Sequence, residues 1–546
     1  LHLLSRRKRQ MCIRDRNIAN QYRKYITCQN PTYYPKKKRG KNPMDHFHTR
    51  THKLKGNISP DIQENIKYTT QIMQDCNDLV QKQFKIGIDH EISIYIVYMD
   101  GLVNTEMLQE SVIRPLLQDS FPQERTAISQ YVIESADWKW IDTMEDAMTA
   151  VLSGNTILFL GGEARAILFS SKLFPTRGVQ NADQEVAIVG PKDSFTESLR
   201  MNTALIRRRI RDTRLKVIQK QIGTRSKTDY ALMYIEDLVQ KDILNKIQKQ
   251  MDKICVDGIF DNGMLQQYLE KDSKTPFPLY QLTQRPDKVA SSIMEGRIAV
   301  VLDNSPMVLL LPVTFNVFFQ ASDDYYNRWE ITTFVRILRY VAAIISIGLP
   351  GFYVAIAGFH PEVLPTPFLL ALISAREGVP FPVIVEVLLM ELSFELLREA
   401  GIRLPGQLGG TMGVVGGLIV GQAAVDAHLV STIVVIVVAL TAIATFSIPN
   451  ELFTSAFRLM KFFLIILCAF WGLYGFFLGF LAMFIHLFYL ENYGVPYAHP
   501  MVEERGRLST AFQDFMVRYP LKRMKYRPEF TKEGARVRQK EDEDEK

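Results

Sequence analysis

No cysteine pattern organises this chain. Its five cysteines, Cys12, Cys28, Cys76, Cys255 and Cys468, lie far apart and form no Cys-x-x-Cys pair. That argues against a disulfide framework and against a zinc site. Cys468 sits inside an apolar run and reads as a small packing residue. Catalytic signatures are missing as well. There is no Walker A loop, no His-Glu-x-x-His, no Gly-x-Ser-x-Gly and no Gly-x-Gly-x-x-Gly after a strand. Gly161-Gly162 lacks the Lys-Ser/Thr that would make a phosphate loop. Nothing favours an enzyme, and no cofactor or metal site is expected. Charge of one sign is also scarce: 65 Lys+Arg against 58 Asp+Glu leave +7, too mild to argue for nucleic acid. Residues 1–16 have too little apolar content for a signal peptide and read as translated adapter sequence, so they are set aside. Paired, related halves of the kind found in secondary transporters are not visible.

What the chain does have is asymmetry. The averages, 47% apolar residues and a mean hydropathy of -0.02, are unremarkable. Residues 1–60 are nevertheless polar and basic, whereas 335–490 are dominated by Leu, Ile, Val, Phe, Gly and Ala. A chain of 546 residues is too long for one ordinary domain. Four parts are expected: a basic, disordered extension at 1–57, a soluble cytoplasmic α/β region at 58–333 in two subdomains, a transmembrane helical domain at 334–490, and a cytoplasmic tail at 491–546. Basic clusters at 36–41 and 518–527 suit anionic lipid heads or plain solvated tails.

In the soluble region, Ser59-Pro60 opens a helix over 58–84. The alternating β-branched and aromatic run 91–99 is a strand, ended by Asp100-Gly101, and a helix follows near 104–118. Residues 155–160 and 164–170 form two short strands, and 194–222 and 228–255 read as helices with basic outer faces. The runs 297–302 and 307–313, joined by Asp303-Asn304-Ser305-Pro306, form a hairpin.

Beyond residue 333 the expected fold is an all-α polytopic membrane domain of five or six hydrophobic segments. Residues 335–358 are long enough to cross a bilayer, with Pro350-Gly351 as a kink. Residues 368–399 are interrupted by Arg376-Glu377-Gly378, Pro380 and Pro382, while 408–425 and 429–447 are clear spans. The run 462–490 would extend about 44 Å as one helix, against a bilayer core of about 30 Å. It tilts, extends beyond the lipid, or folds as a tight hairpin. Arg336 and Arg339, Arg398 and Arg403, Arg458 and Lys461, and the basic stretch from Arg518 to Arg527 alternate with loops at 359–367 and 426–430 that carry no Lys or Arg. Both termini are therefore cytoplasmic, which requires an even number of crossings. Five runs satisfy that only if 462–490 crosses twice or 368–399 does not cross fully.

Two constellations stand out. Gly409, Gly413, Gly417 and Gly421 recur at i, i+4 and give one helix face a smooth groove, widened by Gly410 and Gly416. Gly472, Gly475 and Gly479 repeat the theme. The groove serves ordinary bundle packing, or it serves a close-packed ring around a pore. In such a ring Val414, Val415, Val420 or Val425 would form an apolar constriction. Glu386, Glu391 and Glu395, with Arg398 and Glu399, either line an ion path or form the wet face of an interfacial helix. Asp426 and His428 cap a loop, and His486 suits an interhelical hydrogen bond better than a metal.

Several ordered segments then resemble the GerA family. They are Gly190-Pro191-Lys192-Asp193-Ser194-Phe195-Thr196-Glu197 with Asn202 and Arg207-Arg208-Arg209; Thr283-Gln284-Arg285-Pro286-Asp287-Lys288-Val289-Ala290; and Glu295-Gly296-Arg297. In the apolar part they are His360-Pro361-Glu362, Pro365-Thr366-Pro367, Arg376 to Pro382, Arg398 to Gly401, Gly421 to Val425 and Gly494 to Tyr497. The resemblance covers residues 58–500. It implies the A subunit of a spore germinant receptor in the inner membrane of a bacterial endospore. Such subunits work with a transporter-like B subunit, which holds the nutrient, and a lipoprotein C subunit. They are thought to assemble as a homo-oligomeric ring that opens as a cation channel in contact with membrane lipids. A homologue encoded with the SpoVA proteins shares much of this pattern. Competing readings are a secondary transporter or nutrient-binding subunit, and a non-conducting membrane scaffold.

Overall fold

The computed structural model describes residues 56–86, 92–117, 137–173, 189–270, 274–403, 417, 419–502, 513–528 and 530–539. Residues 1–55, and with them nearly all of the basic extension, lie outside this set. The description that follows is of one compact unit, His52–Lys546.

Two five-stranded antiparallel sheets build the N-terminal region. The first contains β1 (Leu79–Ile86), β2 (Ile92–Met99), β3 (Trp138–Ile141), β4 (Thr156–Leu160) and β5 (Ala166–Phe169), in the order β1-β2-β4-β5-β3. The second contains β6 (Leu215–Ile222), β7 (Thr228–Ile235), β8 (Gln281–Thr283), β9 (Ile298–Leu302) and β10 (Val308–Leu311), in the order β6-β7-β9-β10-β8. The orders are the same: a hairpin, then an edge strand, then a second hairpin inserted between them. A topological duplication is therefore present that the residue sequence does not display. One shared local device is visible. Helices α3 (Met144–Leu152) and α7 (Pro286–Met294) each end two residues before a left-handed glycine, Gly154 (φ +85°) and Gly296 (φ +92°). Each glycine amide closes the last turn and redirects the chain into the central hairpin.

Three expected helices are shorter than predicted. Helix α1 is Ile62–Ile72, capped by Asp61 rather than Ser59, and its predicted continuation is β1; α2 (Thr105–Leu108) follows β2, and α6 (Asn262–Leu269) precedes β8. The basic stretches 194–222 and 228–255 each contain one helix, α4 (Leu199–Arg209) and α5 (Lys241–Met251), and one strand, β6 and β7. Strand β7 reads as helical because Tyr-Ala-Leu-Met-Tyr-Ile lacks alternation. As a central strand it is buried on both faces: Tyr230, Leu232 and Tyr234 pack to one side, Ala231, Met233 and Ile235 to the other. The ladder with β6 and β9 overrides local propensity.

The C-terminal region is helical. It comprises α8 (Trp329–Phe359), α9 (Thr366–Ala375), α10 (Val383–Arg403), α11 (419–426), α12 (Thr432–Phe446) and α13 (Glu451–Tyr489). Among the described residues, two helices are long and apolar enough to cross a membrane, α8 and α13. Helix α13 is not straight. Gly472 has φ 55° and ψ -134° and divides it into arms 451–471 and 473–489. The arms fold back on each other: a Cβ at Gly475 would strike the Leu467 carbonyl, and one at Gly479 would meet Leu464. Both open ends return to Phe277, whose ring lies 6.2 Å from Phe453 and 6.2 Å from His486. The apolar run that the sequence left open is therefore a hairpin. Its tip lies against Phe359 and His360 at the end of α8.

One continuous core joins the second sheet to the base of this bundle. Leu309, Leu311, Val300 and Leu302 of the sheet belong to the same cluster as Phe318, Phe319, Tyr340, Phe453 and Leu464. Phe318 stacks on Phe453 at 4.9 Å and Phe319 on Tyr340 at 4.1 Å. The β-sheet region is thus docked onto the helices through stacked aromatic side chains.

Candidate functional site

Charged side chains bring together segments far apart in sequence. In the N-terminal region the signature segments meet each other. Arg207 makes a two-pronged pair with Asp78, at 2.7 and 3.0 Å, and so ties α4 to the start of β1. Phe195 donates its amide to the Gln284 carbonyl at 2.9 Å, and Arg285 reaches the Pro191 carbonyl at 3.0 Å. Arg285 also pairs with Asp287 at 2.9 Å, and the Tyr326 hydroxyl donates to Asp287 at 2.8 Å. Burial pushes the Asp287 carboxyl up, but Arg285 and Tyr326 outweigh it and hold it below its ordinary value of 3.8. A depressed carboxylate adds stability above its unfolded pKa and loses it as pH falls through the folded value. Asp287→Asn is therefore expected to melt below the parent at neutral pH, with the gap closing as pH drops below 3.8. A gap that stays constant in thermal scans between pH 7 and pH 3 would contradict this assignment.

At the junction with the helices, Arg336 is fully buried and pairs with Asp324 at 2.9 Å and with Asp514 of the C-terminal tail at 2.6 Å. Arg339 shares Asp324 at 2.8 Å. Tyr325 donates to Asp514 at 2.7 Å, and burial together with that carboxylate pushes its hydroxyl pKa far up. The entry of α8, the connector before it and the tail after the bundle are thus locked into one network.

Inside the bundle a second row of charges runs between α10 and the first arm of α13. Glu391 pairs with Lys461 at 2.5 Å, Glu395 with Arg458 at 3.1 Å, and Arg398 with Glu451 at 3.7 Å. The pairing order shows that the two helices are antiparallel. Lys461 and Glu391 are 3% and 1% exposed, so neither is a surface charge. At the other end of α10, Glu386 is fully buried. It pairs with Arg376 at 3.1 Å and accepts the Ser431 amide at 2.9 Å. Ser431 is the N-cap of α12, so Glu386 places its charge where the helix dipole favours an anion.

The three carboxylates singled out from sequence, Glu386, Glu391 and Glu395, therefore all lie on α10 and each meets a cation. The spacing of Glu391 and Glu395 marked their shared face in advance. Their partners were missed because Arg458 and Lys461 were counted as loop charges. The structure instead places both within the first arm of α13, three residues apart on a face that meets Glu391 and Glu395. The glycine–valine face is described only in part. Gly409, Gly413, Val414 and Val415 lie outside the described residues. At Gly417 a Cβ would meet nothing within 4 Å, whereas Gly421 is buried and a Cβ there would lie 3.3 Å from Val435. Val420 is 37% exposed and Val425 packs against the core. His428 sits beside Gly378. His486 bonds to Thr275 of the β-sheet region at 2.8 Å rather than to another helix. Among the described residues no cluster of His, Cys, Asp or Glu could hold a metal ion.

A duplicated α/β region, joined by a buried aromatic and ionic junction to an apolar bundle with a helical hairpin, defines a two-part protein with an apolar helical half. The chain belongs to the GerA family: the pattern of the Bacillus/Clostridium GerA spore germination protein matches residues 67–530. It is 38% identical over 492 residues to spore germination protein KA of Bacillus subtilis (strain 168), covering 89% of this chain and 89% of that one. It is also 38% identical over 443 residues to the uncharacterized membrane protein YfkQ of the same organism, covering 81% of this chain and 86% of that one. Among solved structures it matches the N-terminal domain of the A subunit of the Bacillus megaterium spore germinant receptor GerK3 at 28% identity and a TM-score of 0.39, covering 48% of this chain and 98% of that one.

Proposed function

We propose that the chain is a membrane subunit of a nutrient germinant receptor, and that its helical part assembles with further copies into a cation channel that triggers spore germination. In this reading it sits in the inner membrane of the spore with both ends cytoplasmic. A transporter-like B subunit and a lipoprotein C subunit are its partners. Family membership and the germination proteins among its relatives support the process. The observation that carries the membrane part is the row of buried ion pairs crossing an otherwise apolar bundle, because charges at such depth are costly unless they serve a partner or a path.

The hairpin at Gly472 supports six crossings. Helices α8, α10, the segment ending in α11, α12 and the two arms of α13 would each cross once, and the ten-residue α9 would not. An even count returns the chain to the side of the β-sheet region. The division into 1–57, 58–333, 334–490 and 491–546 follows from the same reading. Gly409, Gly413 and Gly417 would line the contact between neighbouring copies, while Gly421 seats the segment against Val435 of α12, with Val414, Val415, Val420 or Val425 as the constriction. Glu386, Glu391 and Glu395 would form the ion path when the side chains of Arg376, Lys461 and Arg458 swing away from them.

The test is ion flux through purified protein in liposomes, comparing the parent with Val414→Ala and Val415→Ala. A closed parent and leaky variants are expected, with flux rising on the order of tenfold, about 1.4 kcal/mol of bias toward the open state. Tight vesicles in every case, with a confirmed oligomer, would instead favour a non-conducting scaffold.

A further inference from the structure

Glu295-Gly296-Arg297 is a signature segment that the membrane reading does not use. Arg297 immediately precedes β9 and is 4% exposed, yet its Nε and Nη1 have no hydrogen-bond partner among the described residues. The nearest carboxylate oxygen, on Glu295, is 3.9 Å away, beyond hydrogen-bond distance, and the guanidinium otherwise lies over the Phe530 ring at 5.2 Å. Gln281 of β8 is 1% exposed, and neither its amide oxygen nor its amide nitrogen has a partner. The sheet register places the two side chains together. Gln281 and Ala299 flank Leu310 directly, and Arg297 precedes Ala299 by two residues, so all share one face.

Both side chains line a cavity of about 240 Å³ between the second sheet, the connector that enters α8 and the C-terminal tail. The Ser322 hydroxyl, also without a partner, opens onto it. Buried polar groups are ordinarily satisfied, and three that converge on one cavity mark a place where something else satisfies them. The unmatched set is mostly donors around a guanidinium, which selects an acceptor with negative charge. The lining sets Arg297, Lys288 and Arg538 against Asp287 and Glu295, a small positive excess that suits a monoanion better than a dianion. Val317 and the Tyr325 and Tyr326 rings supply an apolar remainder.

We propose that this cavity binds a small monocarboxylate, with its carboxylate on Arg297 and Gln281. The site adjoins Tyr325, which bonds to Asp514 in the network that holds Arg336, so occupancy bears directly on the entry of α8. The proposal stands apart from the channel reading.

The test uses the full chain in detergent, with sodium butyrate as probe against sodium chloride at matched ionic strength. The thermal midpoint of the parent should rise saturably with butyrate. Arg297→Met should abolish the rise, and Gln281→Leu should weaken apparent affinity roughly tenfold. Without butyrate, Arg297→Met should melt at or above the parent, since it removes a buried guanidinium whose Nε and Nη1 make no hydrogen bond among the described residues. Three results would overturn the proposal: no saturable rise in the parent, an equal rise in both variants, or an Arg297→Met protein that melts lower without ligand, which would make the arginine a structural counter-charge. An Arg297-dependent rise with inorganic phosphate in place of butyrate would overturn the assignment to a monocarboxylate.

Discussion

Lys461→Met, made alone, is expected to destabilise the folded chain by about 3–5 kcal/mol, the range for stripping one partner from a buried ion pair. Lys461 and Glu391 are both almost wholly buried, 2.5 Å apart, between two apolar helices. The ammonium also lies 3.7 Å from Glu395 and 5.2 Å from the Phe462 ring. Removing it leaves the Glu391 carboxylate in a low-dielectric space where its other oxygen already has no partner among the described residues. Glu395 keeps Arg458, so the loss concentrates at Glu391. The double variant Lys461→Met/Glu391→Met should regain most of that stability, because replacing a buried pair with apolar groups of similar volume is close to neutral. Thermal midpoints of parent, single and double variants in detergent form the cycle. A single variant as stable as the parent would show that water reaches this pair. A double variant with wild-type stability but altered ion flux would separate the proposed path role of Glu391 from its structural one.

The division of labour along the chain was legible because it rests on composition. A polar, mixed region precedes an apolar one, and the strand pairs 155–170 and 297–313 carried their own turn chemistry. Asn304 indeed adopts φ 63° in the second hairpin. Strand β7 was illegible because a strand buried on both faces has no alternation to read. The ion pairs were half legible. Glu391 and Glu395 announce themselves by spacing on one helix. Lys461 and Arg458 announce nothing, since a cation at the end of a span looks the same whether it faces the cytoplasm or a carboxylate on another helix. Arg297 and Gln281 were illegible for a related reason. A missing partner is a property of the assembled face, and neither residue betrays it locally. The Gly472 reversal was narrowed by length alone. Both arms are apolar all round, so periodicity passes through the turn unbroken.

That reversal carries the other large effect. Gly475→Leu is expected to cost about 3 kcal/mol or more, at or above the usual range for overpacking. A Cβ at Gly475 lands on the carbonyl of Leu467 and 3.2 Å from the Cys468 amide nitrogen. These are backbone atoms of the opposing arm, with no rotamer to move away. Relief requires the arms to part, which would also strip Leu464 and Cys468 from the face that receives Gly351 of α8. Gly479→Ala should cost less, because it meets the Leu464 and Leu467 side chains, which can rotate. Gly358→Ala, where a Cβ would meet nothing within 4 Å, should be tolerated. The graded order Gly475, Gly479, Gly358 in thermal midpoint and in monodisperse yield is the signature of a closed hairpin. If Gly475→Leu instead melts with the parent, the arms are not in contact and α13 runs straight. At 1.5 Å per residue its 39 residues would then extend about 58 Å, nearly twice a bilayer core of about 30 Å. In the proposed topology one crossing would then replace two, and the chain would leave the membrane on the side opposite the β-sheet region. That outcome cannot hold together with the bond from His486 back to Thr275 or with the Phe277 ring seated between Phe453 and His486. The same melting series therefore tests the hairpin, the proposed even number of crossings and the docking of the sheet onto the bundle at once.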